Sequence, residues 1–102
     1  MEQVNVLGVQ NGALTIELSG DIDLGNADAF YAEVMAGYQA TPANVCFVCD
    51  KLNFIDSTTL GTFVKIRKAL QADGYGMKLT GLQAKIKKLF VICSLDTIME
   101  IA

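Results

Sequence analysis

Four polar side chains in a row, Asp56-Ser57-Thr58-Thr59, stand between the apolar pair Phe54-Ile55 and Leu60-Gly61. A carboxylate followed by three hydroxyls at the entry to a helix offers two kinds of chemistry. The first is capping, in which a side-chain oxygen accepts a bond from a free backbone N–H; it is worth about 1 kcal/mol and needs only one residue. The second is phosphate acceptance, because a serine hydroxyl at a helix N-terminus meets unpaired N–H groups and the positive end of the helix dipole. That helix-end contribution is roughly 0.3–1 kcal/mol, and a phosphate adds about −1.5 to −2 charges at neutral pH. Asp21 and Asp23 are expected in the loop after the second strand, which in an α/β sheet opens on the same edge. A phosphate on Ser57 would then deepen a negative patch and expel a docked partner without unfolding the chain.

The second constellation is Cys46-Phe47-Val48-Cys49, with the spacing of a redox or zinc motif. The surrounding NVCFVCD reads as a strand, on which residues three apart point to opposite faces, so the two thiols should diverge. One such pair without histidine also supplies too few zinc ligands, and the redox version opens a helix. Core packing is therefore expected over a dithiol enzyme. The chain has no histidine at all, which removes His-based triads, His metal ligands and the commonest general base. No catalytic or metal-ligating set is expected. Gly20 and Gly74-x-Gly76 lack the spacing and the following Lys-Ser/Thr of a phosphate cradle. A net charge of −3, with no basic cluster interleaved with aromatics, argues against nucleic acid. Lys85-Ile86-Lys87-Lys88 reads as a solvated helix face.

These groups need a scaffold. With 102 residues, 52% of them apolar, the chain is expected to form one domain over 1–102 with its own core. No apolar run reaches the roughly 18 residues of a membrane span, and MEQVNVLGVQNG lacks a targeting pattern; with three cysteines, an odd count, this suggests a cytoplasmic location. Val4 to Val9 and Ala13 to Ser19 read as strands joined by a hairpin turn at Asn11-Gly12. Ala27 to Tyr38 carries a helical stripe that ends before Thr41-Pro42. Asn44 to Cys49 is nearly continuous in apolar residues, the pattern of a central strand covered on both faces. Leu60, Phe63, Val64, Ile66 and Leu70 predict a helix to about Asp73, closed by Gly74. Met77 to Thr80 reads as a strand, Gln83 to Cys93 as a helix and Thr97 to Ile101 as a last strand. The order ββαβαβαβ predicts an α/β domain: a mixed, mostly parallel sheet after an N-terminal hairpin, packed by about three helices.

Gly20-Asp21-Ile22-Asp23, the strand Val45 to Asp50, and Phe54-Ile55-Asp56-Ser57-Thr58-Thr59-Leu60-Gly61 together resemble the STAS domain of bacterial anti-sigma factor antagonists. The resemblance spans essentially the whole chain, and its second motif is the specific one. It implies a transcription regulator that is not an enzyme. Unphosphorylated, such a regulator captures an anti-sigma factor that is also an ATP-dependent serine kinase, and so frees the sigma factor; ATP and Mg²⁺ belong to that partner, and the regulator holds no cofactor. Phosphorylation switches it off and a serine phosphatase restores it. Carried over by position, Ser57 is the acceptor, with Asp21, Asp23, Asp56, Thr58, Thr59, Leu60 and Gly61 on the docking surface. Thr59 stands where the family usually has glycine, so a β-branched residue is expected to alter the contact with the kinase. A monomer or weak dimer is expected, and no membrane. The alternative is a STAS accessory subunit of a transport ATPase or sensory scaffold that is never phosphorylated.

Overall fold

A computed structural model describes all residues 1–102. In chain order the elements are β1 (Val4–Gln10), β2 (Ala13–Ile22), α1 (Ala27–Ala40), β3 (Asn44–Ile55), α2 (Ser57–Ala72), β4 (Met77–Thr80), α3 (Ala84–Ile92), a 3₁₀ turn at Leu95–Thr97 and β5 (Glu100–Ile101). The five strands form one sheet in the order β1-β2-β3-β4-β5. The β1–β2 pair is antiparallel and the other three pairs are parallel. The mixed sheet expected from the alternating pattern is present, and its opening hairpin turns at Asn11 and Gly12, with φ of 54° and 80°, the left-handed pair that Asn-Gly accepts.

The three helices pack on one face of the sheet. Leu14, Ile16 and Leu18 of β2, Val45, Phe47 and Cys49 of β3 and Leu79 of β4 share one buried cluster with Phe30, Phe63 and Phe90. Phe63 of α2 is its hub: its ring lies 5.2–5.4 Å from those of Phe30 (α1), Phe47 (β3) and Phe90 (α3), edge-on in each case. Edge-to-face pairs at this separation add to plain burial. At the far ends of α1 and α2 the Tyr38 hydroxyl donates to Asp73 at 2.6 Å. Burial and then that carboxylate push the Tyr38 phenol up to about 12.

Three expectations need correction. First, β3 is central but not covered on both faces, for its residues alternate between buried and half-exposed. The opposite face presents Thr15, Cys46, Val48, Lys78 and Thr80, whose registers run Thr15–Cys46–Lys78 and Val48–Thr80. The ion pairs Lys51–Glu17 at 3.7 Å and Lys78–Glu100 at 3.2 Å join neighbouring strands of the sheet. Second, β2 and β3 run on to Ile22 and Ile55. Two irregularities in the β2–β3 register keep their ends paired, so Asp21 is the next-to-last residue of β2 and is not in the loop after it. Third, the last strand shrinks to Glu100–Ile101, because the chain over Leu95–Thr97 coils into a 3₁₀ turn.

Candidate functional site

Parallel pairing of β2 and β3 brings the two motifs together. Asp21 lies opposite Phe54 and Ile22 opposite Ile55, so both strands release their chains at one edge, where parallel sheets expose their functional loops. From β2 the chain turns through Asp23–Asn26, a loop laced by its own side chains. The Asp23 N–H donates to Asn26 Oδ1 at 2.8 Å, the Gly25 N–H to Asp23 Oδ1 at 2.9 Å, and Asn26 Nδ2 to the Asp21 carbonyl at 3.0 Å. Asp21 is exposed and Asp23 half-buried. In the middle of this loop Leu24 is 75% exposed.

From β3 the chain enters α2 through Asp56, its N-cap. Asp56 Oδ1 accepts from the Thr59 N–H at 3.0 Å, which is the capping bond. Asp56 Oδ2 accepts from the Leu24 N–H at 2.9 Å, across to the other loop. The Thr59 N–H first, and then the Leu24 N–H, hold the Asp56 carboxyl below the ordinary carboxylate range, since each bond favours the charged form. Asp56 therefore clamps the β2–α1 loop to the start of α2, and its charge is partly committed within the chain.

The hydroxyl row divides. Ser57 and Thr58 are exposed in the first turn of α2, while Thr59 is fully buried and Leu60 only 8% exposed. Thr59 Oγ1 lies 2.6 Å from the Ile22 carbonyl and 3.0 Å from Asp56 Oδ1, so the hydroxyl turns into the molecule and ties α2 to the end of β2. The side chains of Thr59 and Leu60 are thus withdrawn from the surface on which they were expected to contact a partner, and act from beneath it. Thr59 precedes Phe63 by four residues and Ile66 by seven, so it falls on the buried stripe of its helix; that spacing was the available signal. Gly61 is exposed one turn after Ser57, and a side chain there would meet no neighbouring atom within 4 Å. Since glycine inside a helix costs roughly 0.5–1 kcal/mol against alanine, the fold does not require it.

Sequence patterning did not find Leu24 or the half-exposed Phe54 (49%), because neither interrupts a periodic run. It did separate the cysteines: Cys49 is buried on the helix-covered face and Cys46 half-buried on the other. Burial, then the charges of Asp50 and Cys46, push the Cys49 thiol up to about 12, which suits an inert core residue. No three His, Cys, Asp or Glu side chains lie together as a metal-ligand group, and no helix is long and apolar enough to cross a membrane.

The chain is similar in sequence and in fold to known proteins. The anti-sigma-B factor antagonist of Bacillus subtilis (strain 168) is 28% identical over 101 residues, covering 97% of this chain and 91% of that protein. The fold is also that of the anti-sigma factor antagonist SpoIIAA. Its unphosphorylated form has a TM-score of 0.74 at 17% identity, covering 97% of this chain and 86% of that one. The Bacillus SpoIIAA structure in the phosphorylated form has a TM-score of 0.71 at 21% identity, covering 97% and 90%. The family model of the STAS domain matches residues 6–102, and the chain therefore belongs to the STAS domain family.

Proposed function

We propose that this protein is a one-domain anti-sigma factor antagonist governed by phosphorylation of Ser57. In its unphosphorylated form it binds an anti-sigma factor that is also a serine kinase; phosphorylation by that kinase, with the kinase's own ATP and Mg²⁺, releases it, and a serine phosphatase resets it. The reading makes it a bacterial cytoplasmic regulator of transcription with no catalysis of its own. One observation carries most of the weight: Asp56 caps α2 and Ser57 does not. The serine, relieved of a structural duty, stands exposed where the helix leaves its first N–H groups unpaired and a phosphate is tolerated. Asp21, Asp23 and Asp56 surround that edge, so a phosphate joins an acidic patch and penalises a bound partner through like charge. The bare backbone at Gly61 suits close approach by a partner along the same helix face.

Incubation with the cognate kinase and ATP, followed by intact mass measurement, tests the site. Wild type should gain one phosphate and Ser57→Ala none; a phosphate on Ser57→Ala would move the acceptor elsewhere, with Thr58 the next residue to examine. Ser57→Asp should bind the kinase at least about tenfold more weakly, a loss of about 1.4 kcal/mol. Unchanged affinity would remove charge repulsion as the mechanism.

A further inference from the structure

At the end of the sheet opposite to Ser57 lies a cavity of about 420 Å³, enclosed by Arg67 and Gln71 of α2, residues 75–77 at the entry of β4 and residues 97–100 leading into β5. It is remote from the acceptor. Because β4 runs parallel to β3, its first residues lie at the end of the sheet that β3 leaves behind, and Arg67 stands about 15 Å along α2 from Ser57 at 1.5 Å per residue. The volume falls within the roughly 300–1,000 Å³ of small-molecule sites.

The walls divide into an apolar part and one cation. Met77 and Met99 are buried beneath the cavity, and Ile98 is 38% exposed beside it. The half-buried Tyr75 is set by packing, its ring edge-on to that of Tyr38 with centroids 6.1 Å apart. Arg67 is the one basic residue on the walls. Its Nε donates to the Ile98 carbonyl at 2.7 Å, which fixes the guanidinium between α2 and the chain entering β5. The ion pairs of the molecule involve other residues, so the four N–H donors on the two terminal nitrogens have no carboxylate of this chain to meet. Glu100, the acidic residue on the walls, is engaged by Lys78 at 3.2 Å.

We infer that this cavity is a binding site for a small aryl monocarboxylate, whose carboxylate pairs with the terminal nitrogens of Arg67 and whose ring lies against Met77, Met99 and Tyr75. A carboxylate matches the guanidinium fork with two parallel bonds, and a guanidinium already held through Nε loses little freedom when it pairs. Thioether sulfur favours contact with an aromatic ring, and the Tyr75 ring offers an edge or a face. An inorganic anion would leave the apolar wall unused, and a neutral arene would leave the guanidinium unpaired. The bound molecule would join α2 to the segment around β5, which is tied to β4 by two register pairs, Lys78–Glu100 and Leu79–Ile101. The site is independent of the reading of Ser57.

Titration of the full chain with 3-phenylpropanoate, followed in ¹⁵N–¹H spectra, tests the inference. The amides of Gln71, Gly76, Thr97 and Glu100 should shift saturably while those of Ser57 and Thr58 stay in place. The neutral analogue 3-phenylpropanamide should bind about tenfold more weakly or worse, the cost of a lost charge-assisted pair, and inorganic phosphate should bind more weakly still. Arg67→Gln should abolish the preference for acid over amide, and Arg67→Lys, which keeps the charge and loses the fork, should retain part of it. Ile98→Asp leaves Arg67 in place and sets a competing carboxylate beside it, so it should weaken the acid about tenfold with little effect on the amide. Because the acid binds the folded chain, it should also raise the melting midpoint of wild type and not that of Arg67→Gln. Equal affinity for acid and amide, or for acid and phosphate, would overturn the inference. So would shifts that never saturate or that spread over the lysine-bearing surfaces, and so would wild-type affinity for the acid in both Arg67→Gln and Ile98→Asp.

Discussion

One proton on the Thr59 hydroxyl faces two acceptors, the Ile22 carbonyl at 2.6 Å and Asp56 Oδ1 at 3.0 Å. The shorter contact takes it, and the Ile22 carbonyl, at the end of a buried strand, has that hydroxyl as a partner. Thr59→Val keeps the shape and deletes the donor, so it should cost about 1–3 kcal/mol in urea unfolding, the range for an unsatisfied buried acceptor. Thr59→Ser should recover most of the loss. Glycine, the residue expected from the family pattern, would remove the same bond and add a helix penalty of roughly 0.5–1 kcal/mol. If valine and serine prove equally stable, the hydroxyl is not what holds this junction. Because the side chain is buried, Thr59 also gives no reason to favour an unphosphorylated accessory role over the proposed kinase-controlled one: the side of this helix start that is open to a partner is that of Ser57, Thr58 and Gly61.

At the scale of elements, α2 is held by its middle and presented by its end. Phe63 contacts the rings of α1, β3 and α3, so it fixes the depth of the helix against the sheet. Phe63→Ala should therefore cost about 3–5 kcal/mol, the range for deleting a buried phenyl ring, seen as a lower urea midpoint. A loss below about 1 kcal/mol would mean that the core collapses around the gap. The start of the helix depends on the strand pairing, since Asp56 follows Ile55 directly and Ile55 is paired with Ile22. Helical periodicity revealed that α2 existed, but its first residue was not readable from that pattern. Ser57 and Thr58 are exposed, and the cap at Asp56 becomes visible only when β3 is seen to run without a break to Ile55.

For the whole molecule, Asp56 links the site to the acid stability of the fold. Its carboxyl is lower in the folded chain than its ordinary value; the unfolded chain therefore binds this proton more readily. The stability contributed by the charged form is fully present above the unfolded value of about 3.9 and is lost as pH falls through the lower folded value. Asp56→Asn should be less stable than wild type at neutral pH, and the gap should close as pH falls below about 4. Thermal melts of the two proteins across that window measure it. A gap that stays constant with pH would assign the cost to lost packing and not to the charge.

Sequence alone determined the order of elements, the Asn11-Gly12 hairpin, the divergence of Cys46 from Cys49, and the resemblance carried by GDID and FIDSTTLG. Each follows from local periodicity, turn chemistry or a contiguous motif. Tertiary structure decided what those rules cannot reach. It left one sheet face without helices, with Cys46 and Val48 half-buried on it, and it set Asp21 beside Phe54, because parallel pairing joins residues 33 apart in the chain. It also sorted the row after Asp56 into two exposed hydroxyls and one buried one. The row by itself carries no inward or outward sign; the spacing of Thr59 to Phe63 and Ile66 offered one, and the seating of α2 against the end of β2, through the Thr59 hydroxyl on the Ile22 carbonyl, decided it.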